Sequence, residues 1–395
     1  MNAKPALRTS MFYFLFLGLL SAFGPFVMDM YLPALPAMTG IFHTHASMVQ
    51  LSLTTCMIGL AVGQLFFGPL SDRYGRRRPL LLALLLFLLA TVGCLFAENI
   101  ETFVALRFVQ GFGGAGGVVL SRSIATDQYS GRQLARMLAI VGAVNGAATV
   151  AAPIAGGLVV GLGGWSGVFV MLLVLGALLL LVSLCYRESL PVESRSRCSG
   201  REVWLNFRHV LSNRTLVSYV LQYGFSMGVL FVYISSAPFI MQEHYGLNEI
   251  HFSLCFGINA TAMLVASTLS VKYFTPQHAL HLGRRGMLCM AVLLSLAFSF
   301  DCPFWLYEIL TFALLMVVGT TFTVSNSLAM DSEHQHAGIA SALLGAVGYA
   351  FGCLVPPLVG LGGNSMVVVG LLLTAGSVLT LLSSLRRREN CYARA

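Results

Sequence analysis

Two ionisable residues lie where apolar chain surrounds them on both sides: Asp29 within the run Met11–Pro36, and Arg107 within Thr102–Thr126. An acid inside a bilayer-spanning segment costs about 2.5–3.5 kcal/mol on insertion scales, so it faces protein or water and usually has a task. The chemistry open to it is proton uptake and release. Desolvation raises a carboxyl pKa and a nearby cation lowers it, so modest structural change can carry it across the physiological range. Asp29 lies seven residues before Pro36, and Arg107 seven after Ile100, about where the fourth helix is expected to begin. At 1.5 Å per residue both sit about 10 Å below the same boundary, a depth that permits contact. The competing readings are a purely structural acid for Asp29 and, for Arg107, a guanidinium that ties helix carbonyls together.

Other residue types point to movement and to solute contact. Gly68-Pro69-Leu70-Ser71-Asp72-Arg73-Tyr74-Gly75-Arg76-Arg77 joins the second and third runs. Gly68 and Gly75 permit a tight reversal there, and the acid and bases can pair with one another or with helix ends. In the fifth run, Gly142, Gly146, Pro153, Gly156 and Gly157 allow close helix approach and a bend; generic packing explains them equally well. Gln110, Asn145, Tyr219, Gln222, Tyr223, Tyr233 and Asn259 are candidates for the wall of a solute cavity. Interhelical hydrogen bonding is the commoner role of any one of them. Tyr219 and Tyr223 share a helix face, and Gln110 lies one turn from Arg107. Glu308 is one turn into the tenth run, close enough to the surface for hydration; a solvated acid is the expected reading, and a part in proton coupling the alternative.

Several chemistries are unsupported. His43-Thr44-His45 and His334-Gln335-His336 offer two imidazoles each, too few for a metal centre, so no metal is expected. No Gly-rich nucleotide loop, His-Glu-x-x-His or nucleophile elbow occurs. ATP as an energy source, a bound cofactor and enzyme chemistry therefore have no footing.

Two of these stretches have a particular residue order. The loop from Gly68 to Arg77 resembles, without a departure, the Gly-x-x-x-Asp-Arg-x-Gly-Arg-Arg loop of the major facilitator superfamily. Met28-Asp29-Met30-Tyr31-Leu32-Pro33-Ala34-Leu35-Pro36 resembles the Asp-Met-Tyr-Leu-Pro-Ala-x-Pro stretch of its bicyclomycin/chloramphenicol-resistance (Bcr/CflA) subfamily of proton-coupled drug exporters. Arg107-Phe108-Val109-Gln110-Gly111 and the run from Ala337 to Gly345 extend the resemblance over nearly the whole chain. The resemblance implies that Gly68, Asp72, Arg73, Gly75, Arg76 and Arg77 latch two halves in the outward-facing state. Asp72 and Arg73 would then meet the start of the eleventh helix and Asp127, the acid at the inner end of the fourth. It also implies an antiporter-type glycine–proline motif around Pro153, although Ala152 stands where glycine is usual. The expected mechanism is proton–solute exchange, with protonated Asp29 favouring one facing state and ionised Asp29 the other. One charge moved across about 100 mV is worth about 2.3 kcal/mol, so one proton per cycle sustains a useful gradient.

The elements that must position these residues are twelve apolar runs. They fall at Met11–Pro36, Met48–Leu70, Pro79–Phe96, Thr102–Thr126, Leu134–Val160 and Trp165–Tyr186, then Leu216–Met241, His251–Tyr273, Met287–Phe300, Phe304–Leu328, Gly338–Leu361 and Met366–Leu385. Of the 23 Lys and Arg residues, all but four fall in alternate connections or at the termini; Arg107 and Arg122 lie within the fourth run, and Arg136 and Lys272 within three residues of the ends of the fifth and eighth. Cytoplasmic loops retain such residues, so the pattern predicts twelve crossings with both ends inside. Charged residues make up 10% of the chain, against about 25% in a soluble domain. The net charge of +8 is spread along one rim, which suits anionic lipid headgroups and not nucleic acid. Nine cysteines, an odd number mostly inside the runs, read as apolar fillers. The first run is too long for a cleaved leader and carries Asp29, so it is read as a span.

The polar stretch after the sixth run divides the chain into an N-terminal bundle (1–187), a cytoplasmic linker (188–213) and a C-terminal bundle (214–395). The halves echo each other: Gly75-Arg76-Arg77 recurs as Gly283-Arg284-Arg285, and Pro153 to Gly156 is matched by Pro357 to Gly360. The expectation is an all-α membrane protein of two six-helix bundles, monomeric, in a bacterial inner membrane. Its partners would be protons, lipid and a small amphipathic or apolar solute, drugs included, exported by alternating access. A proton-coupled carrier for one metabolite, such as a nucleoside or sugar, shares all these features. A non-transporting receptor or scaffold would keep the topology but has no need of Asp29.

Overall fold

Backbone in lipid must satisfy its own hydrogen bonds, so each long apolar run closes into a helix. The computed structural model describes residues 11–129, 131–195, 208, 210–332, 337–362 and 365–392, and no strand occurs among them. The first run becomes α1 (Met11–Asp29), a 3₁₀ turn (Leu32–Ala34) and α2 (Leu35–Ile41). Then follow α3 (Ala46–Tyr74), α4 (Arg77–Leu95) and α5 (Ile100–Gln128). The helical stretch Gly131–Cys185 is broken at Gly164, whose φ of 64° and ψ of −167° belong to a region essentially reserved for glycine. The break separates α6 (131–163) from α7 (165–185). A Cβ added to Gly167 would lie 2.9 Å from Val159, so the chain doubles back at the break.

The remaining helices are α8 (Arg214–Phe239) with a π-helical turn (Ile240–His244), α9 (Glu249–Tyr273), α10 (Pro276–Ser299), α11 (Phe304–Asp331), α12 (Ala337–Leu361) and α13 (Met366–Tyr392). Among the described residues eleven stretches are long and apolar enough to cross a membrane, one of them the 50-residue Arg136–Cys185. Since a span needs about 20 residues, the break at Gly164 makes this stretch two crossings and the total twelve.

Two differences from the expected boundaries have a cause in the packing. The first run is one apolar block, yet its helix stops at Asp29 and restarts after a turn. The ninth run was expected to begin at Met287, whereas α10 begins at Pro276, with proline at the first helical turn. Ala279, Leu280, Gly283, Arg284, Met287 and Ala291 form one buried face of α10, so its first turns are held by amphipathic packing that mean hydropathy overlooks.

The described chain forms two compact units. The first contains α1, residues 55–74 of α3, and α4 to α7; the second contains α2, residues 46–54 of α3, and α8 to α13. Residues 35–54 thus pack with the second unit, where Gln50 Nε2 donates to the Ser235 carbonyl at 3.2 Å. In the first unit glycines bring backbones together: a Cβ on Gly59 would strike the Phe108 carbonyl, and one on Gly111 the Cys56 carbonyl. In the second unit α8 packs against α11, α12 and α13, and α10 against α11 and α13.

Candidate functional site

The site in the first unit is built on the end of α1. The last turn of a helix leaves carbonyls without intrahelical partners, and its end carries partial negative charge. Arg107, fully buried on α5, meets this end: its Nη2 donates to the Val27 carbonyl at 3.2 Å. Its guanidinium lies 4.6 Å over the Tyr31 ring and 5.8 Å from that of Phe169. Nη1 donates to Gln110 Oε1, and Gln110 Nε2 donates to Thr91 Oγ1 at 2.9 Å, while Nε is buried without a hydrogen-bond partner. Gln110 is therefore a fully buried support for Arg107; both ends of its amide are occupied, and it is not on an open cavity wall.

Asp29 is the last residue of α1 and only 6% exposed. No ion pair joins it to Arg107, and among the described residues no hydrogen bond reaches its carboxylate. Equal depth places both residues around one helix end, but the cation is engaged by carbonyl, amide and ring. The carboxylate has neither water in quantity nor a cation to offset its charge, a situation that proton uptake relieves.

α6 closes against this same break. A Cβ on Gly156 would overlap the Met30 carbonyl, and Ser21 Oγ donates to Asn145 Oδ1 at 3.5 Å between α1 and α6. Asn145, expected at a cavity wall, thus accounts for one interhelical bond. Pro153 and Gly157 are buried and Gly146 half-buried. Gly142 departs from the expected packing role: it is exposed, and nothing lies within 4 Å of an added Cβ. Gly156→Ala is expected to destabilise the protein by about 1–3 kcal/mol through overpacking against backbone. Gly142→Ala should be neutral or stabilising by up to about 1 kcal/mol from helix propensity. Thermal unfolding of both purified variants checks the contrast; equal melting temperatures would remove the close approach from the account.

The loop between α3 and α4 is a clasp centred on Arg76. Nε donates to Asp127 Oδ2 at 2.8 Å and Nη2 to Asp127 Oδ1 at 3.1 Å, while Nη1 donates to Ser71 Oγ at 2.7 Å and to Asp72. Burial works against the charge of Arg76, but its hydrogen bonds to Asp127 and Asp72 prevail and hold its pKa above the ordinary value. The expected partner of Asp127 was Arg73; Arg76 takes that place, and Arg73 lies 5.5 Å over the Tyr74 ring instead. The expected contact with the start of the eleventh helix involves side chains of residues 337–342, outside the described ones.

Glu188 was missed by sequence reasoning because it sits in a polar stretch read as linker. Its carboxylate accepts the backbone N–H groups of Arg76 and Arg77 at 2.8 and 3.1 Å, an anion seated at the start of α4. Ser189 Oγ donates to Asp127 at 3.0 Å, and Arg77 Nη2 donates to the Leu184 carbonyl at 2.7 Å. Gly68 lies inside α3 with ordinary space around it, so the reversal belongs to Gly75 alone, at φ 88°. A side chain there is strained by about 1–2 kcal/mol, and its Cβ would meet the Glu188 carboxylate. Gly75→Ala is accordingly expected to lower the melting temperature and slow turnover several-fold, as measured by thermal unfolding and flux in vesicles.

In the second unit the cavity candidates divide. Tyr219 and Tyr223 join Leu216, Leu280, Val324 and Leu344 in a buried cluster, with Tyr223 stacked on Phe322 at 5.0 Å. Gln222 is buried, and its Oε1 accepts from Arg284 Nη1 at 2.9 Å. Tyr233 and Asn259 come together with Glu308: Asn259 Nδ2 is 3.2 Å from Tyr233 Oη and 3.0 Å from Glu308 Oε1. Glu308 is half-buried on this cluster and is not the solvated acid expected. Among the described residues no group of three His, Cys, Asp or Glu could hold a metal ion, and His334 and His336 lie outside them.

The Major Facilitator Superfamily model matches residues 15–357. The chain is 37% identical over 370 residues to the MFS-type transporter YdgK of Bacillus subtilis, covering 92% of each. It is 32% identical over 368 residues, 89% of each, to a bicyclomycin resistance protein homolog of Haemophilus influenzae. With a chloramphenicol resistance protein of Pseudomonas aeruginosa it shares 30% identity over 349 residues, 83% of this chain and 81% of the other. Among solved structures, the partially occluded, inward-open xylose transporter XylE of E. coli superposes with a TM-score of 0.72 at 16% identity, covering 94% and 96% of the two chains. That likeness concerns the fold alone.

Proposed function

Since the chain belongs to the Major Facilitator Superfamily, we propose that this multi-pass secondary transporter, which is not an enzyme, exports small amphipathic or apolar compounds, drugs included, in exchange for protons. Relatives named for bicyclomycin and chloramphenicol resistance support the solute class. The observation that carries the coupling is Asp29: a buried carboxylate with no cationic partner among the described residues, at the end of a helix whose carbonyl is held by Arg107.

Taking up a proton removes the buried charge at the break in α1; losing it restores that charge. The break touches Arg107 through Val27 and Tyr31, and α6 through Met30 and Gly156, so the charge state bears directly on how these three helices meet. In the cycle proposed, solute binding displaces the proton from Asp29, and reprotonation after solute release returns the carrier. The basic residues along alternate connections support a cytoplasmic placement of both termini in a bacterial inner membrane.

The test is purified protein in proteoliposomes with an imposed pH gradient and a panel of bicyclomycin- and chloramphenicol-like compounds. Solute-dependent proton release, with solute driven against its gradient, is the expected result. Downhill solute flux with no accompanying proton movement would overturn the coupling.

A further inference from the structure

The cluster of Glu308, Asn259 and Tyr233 is unbalanced in its hydrogen bonding. The Asn259 amide nitrogen serves both Glu308 Oε1 at 3.0 Å and Tyr233 Oη at 3.2 Å, so both its N–H groups are occupied. The other two oxygens of the acid–amide pair, Glu308 Oε2 and Asn259 Oδ1, are both buried and both without a hydrogen-bond partner. An ionised carboxylate offers acceptors only, as does an amide oxygen. The ionised pair therefore buries two acceptors and no donor between them, and each orphaned polar group costs about 1–3 kcal/mol. A carboxylic acid and a primary amide are complementary: each donates once and accepts once. A single proton on Oε2 supplies the one missing donor.

We propose that Glu308 is a second proton-binding residue, in the second unit, with Asn259 as the hydrogen-bond complement of its protonated form and Tyr233 fixing the amide's orientation. Level with Glu308 the elements packed against it supply no competing cation; Arg214, Lys272, Arg284 and Arg285 lie toward the opposite ends of α8, α9 and α10. Tyr233 of α8, Cys255 of α9 and Tyr307 of its own helix interact electrostatically with the Glu308 carboxylate, and none carries positive charge. Residues 287–299 of α10 contain no Lys, Arg or His, and neither does α12. The nearest charged groups along these chains are Glu243 and His244 after α8, Glu249 and His251 at the start of α9, and Asp301 before α11; His244 pairs with Asp301 at 3.1 Å. The role of this proton in transport rests on the proton-coupled reading above; its presence on Glu308 does not.

Infrared difference spectroscopy of the full chain in lipid, with exchange from H2O to D2O, reads the site directly. A carbonyl band of a protonated carboxylic acid is expected at neutral pH, absent from Glu308→Gln, retained in Asp29→Asn, and shifted in Asn259→Leu. Gln at 308 supplies a permanent donor to Asn259, so this variant should fold and melt like the parent while its acid carbonyl band is lost. A band unchanged in a folded Glu308→Gln protein, or unshifted in Asn259→Leu, would overturn the proposal. A Glu308 band in a protein that moves solute without protons supports the site and instead sinks the coupling.

Discussion

Asp29→Asn protein in proteoliposomes is expected to equilibrate its solute across the membrane and to lose the ability to concentrate it. The substitution is close to isosteric and permanently neutral. Because the carboxylate makes no ion pair or hydrogen bond with another described residue, its replacement breaks no contact on which the fold depends. Expression and melting temperature should therefore match the parent or slightly exceed it, since a buried charge has been removed. The loss falls on the driving force alone. One charge moved across about 100 mV is worth about 2.3 kcal/mol, which corresponds to a concentration ratio of roughly 50. The parent should approach a ratio of that order with a one-proton cycle, and the variant a ratio of about one. Uphill transport retained by Asp29→Asn would assign the coupling to another group.

The second large effect is expected at Arg107. Arg107→Lys keeps the charge but not the fork: an ammonium cannot serve both the Val27 carbonyl and Gln110 while lying flat against Tyr31. A lost charge-assisted hydrogen bond is worth about 1.5–3 kcal/mol, and a desolvated cation–π contact about 2 kcal/mol. The variant should thus be destabilised by about 2–4 kcal/mol and should transport poorly even where it folds, because the end of α1 has lost its tie to α5. Thermal unfolding and flux, measured together, check this. Parent-like values for both would mean that charge without shape suffices at this position.

Most of the fold was legible because hydropathy reports what lipid demands, and each apolar run became a helix. The break at Asp29 was not legible, since the residues on both sides are equally apolar and the interruption is stabilised by α5 and α6. The early start of α10 escaped for the opposite reason: its first turns are polar on one face, and only the burial of Arg284 and its neighbours holds them in the bundle. At the clasp, residue order pointed to Arg73 as the partner of Asp127, where Arg76 stands. Asp127 reaches Arg76 because the turn at Gly75 aims that side chain back toward α5, a direction no spacing rule encodes. Glu188 and Asn259 share a further difficulty. Each acts by completing a partner more than 45 residues distant in the chain, 112 for Glu188 with Arg76 and 49 for Asn259 with Glu308, so Glu188 reads as linker and Asn259 as cavity wall.

The single-glycine corner between α6 and α7 bears on biogenesis. Residues 161–164 are exposed, uncharged and almost without side chain apart from Leu162, so the nascent pair has no hydrophilic cargo to drag through the insertion machinery. The two helices can enter the bilayer together as one wedge, and a charged tag spliced into that corner should arrest the wedge before either arm is seated.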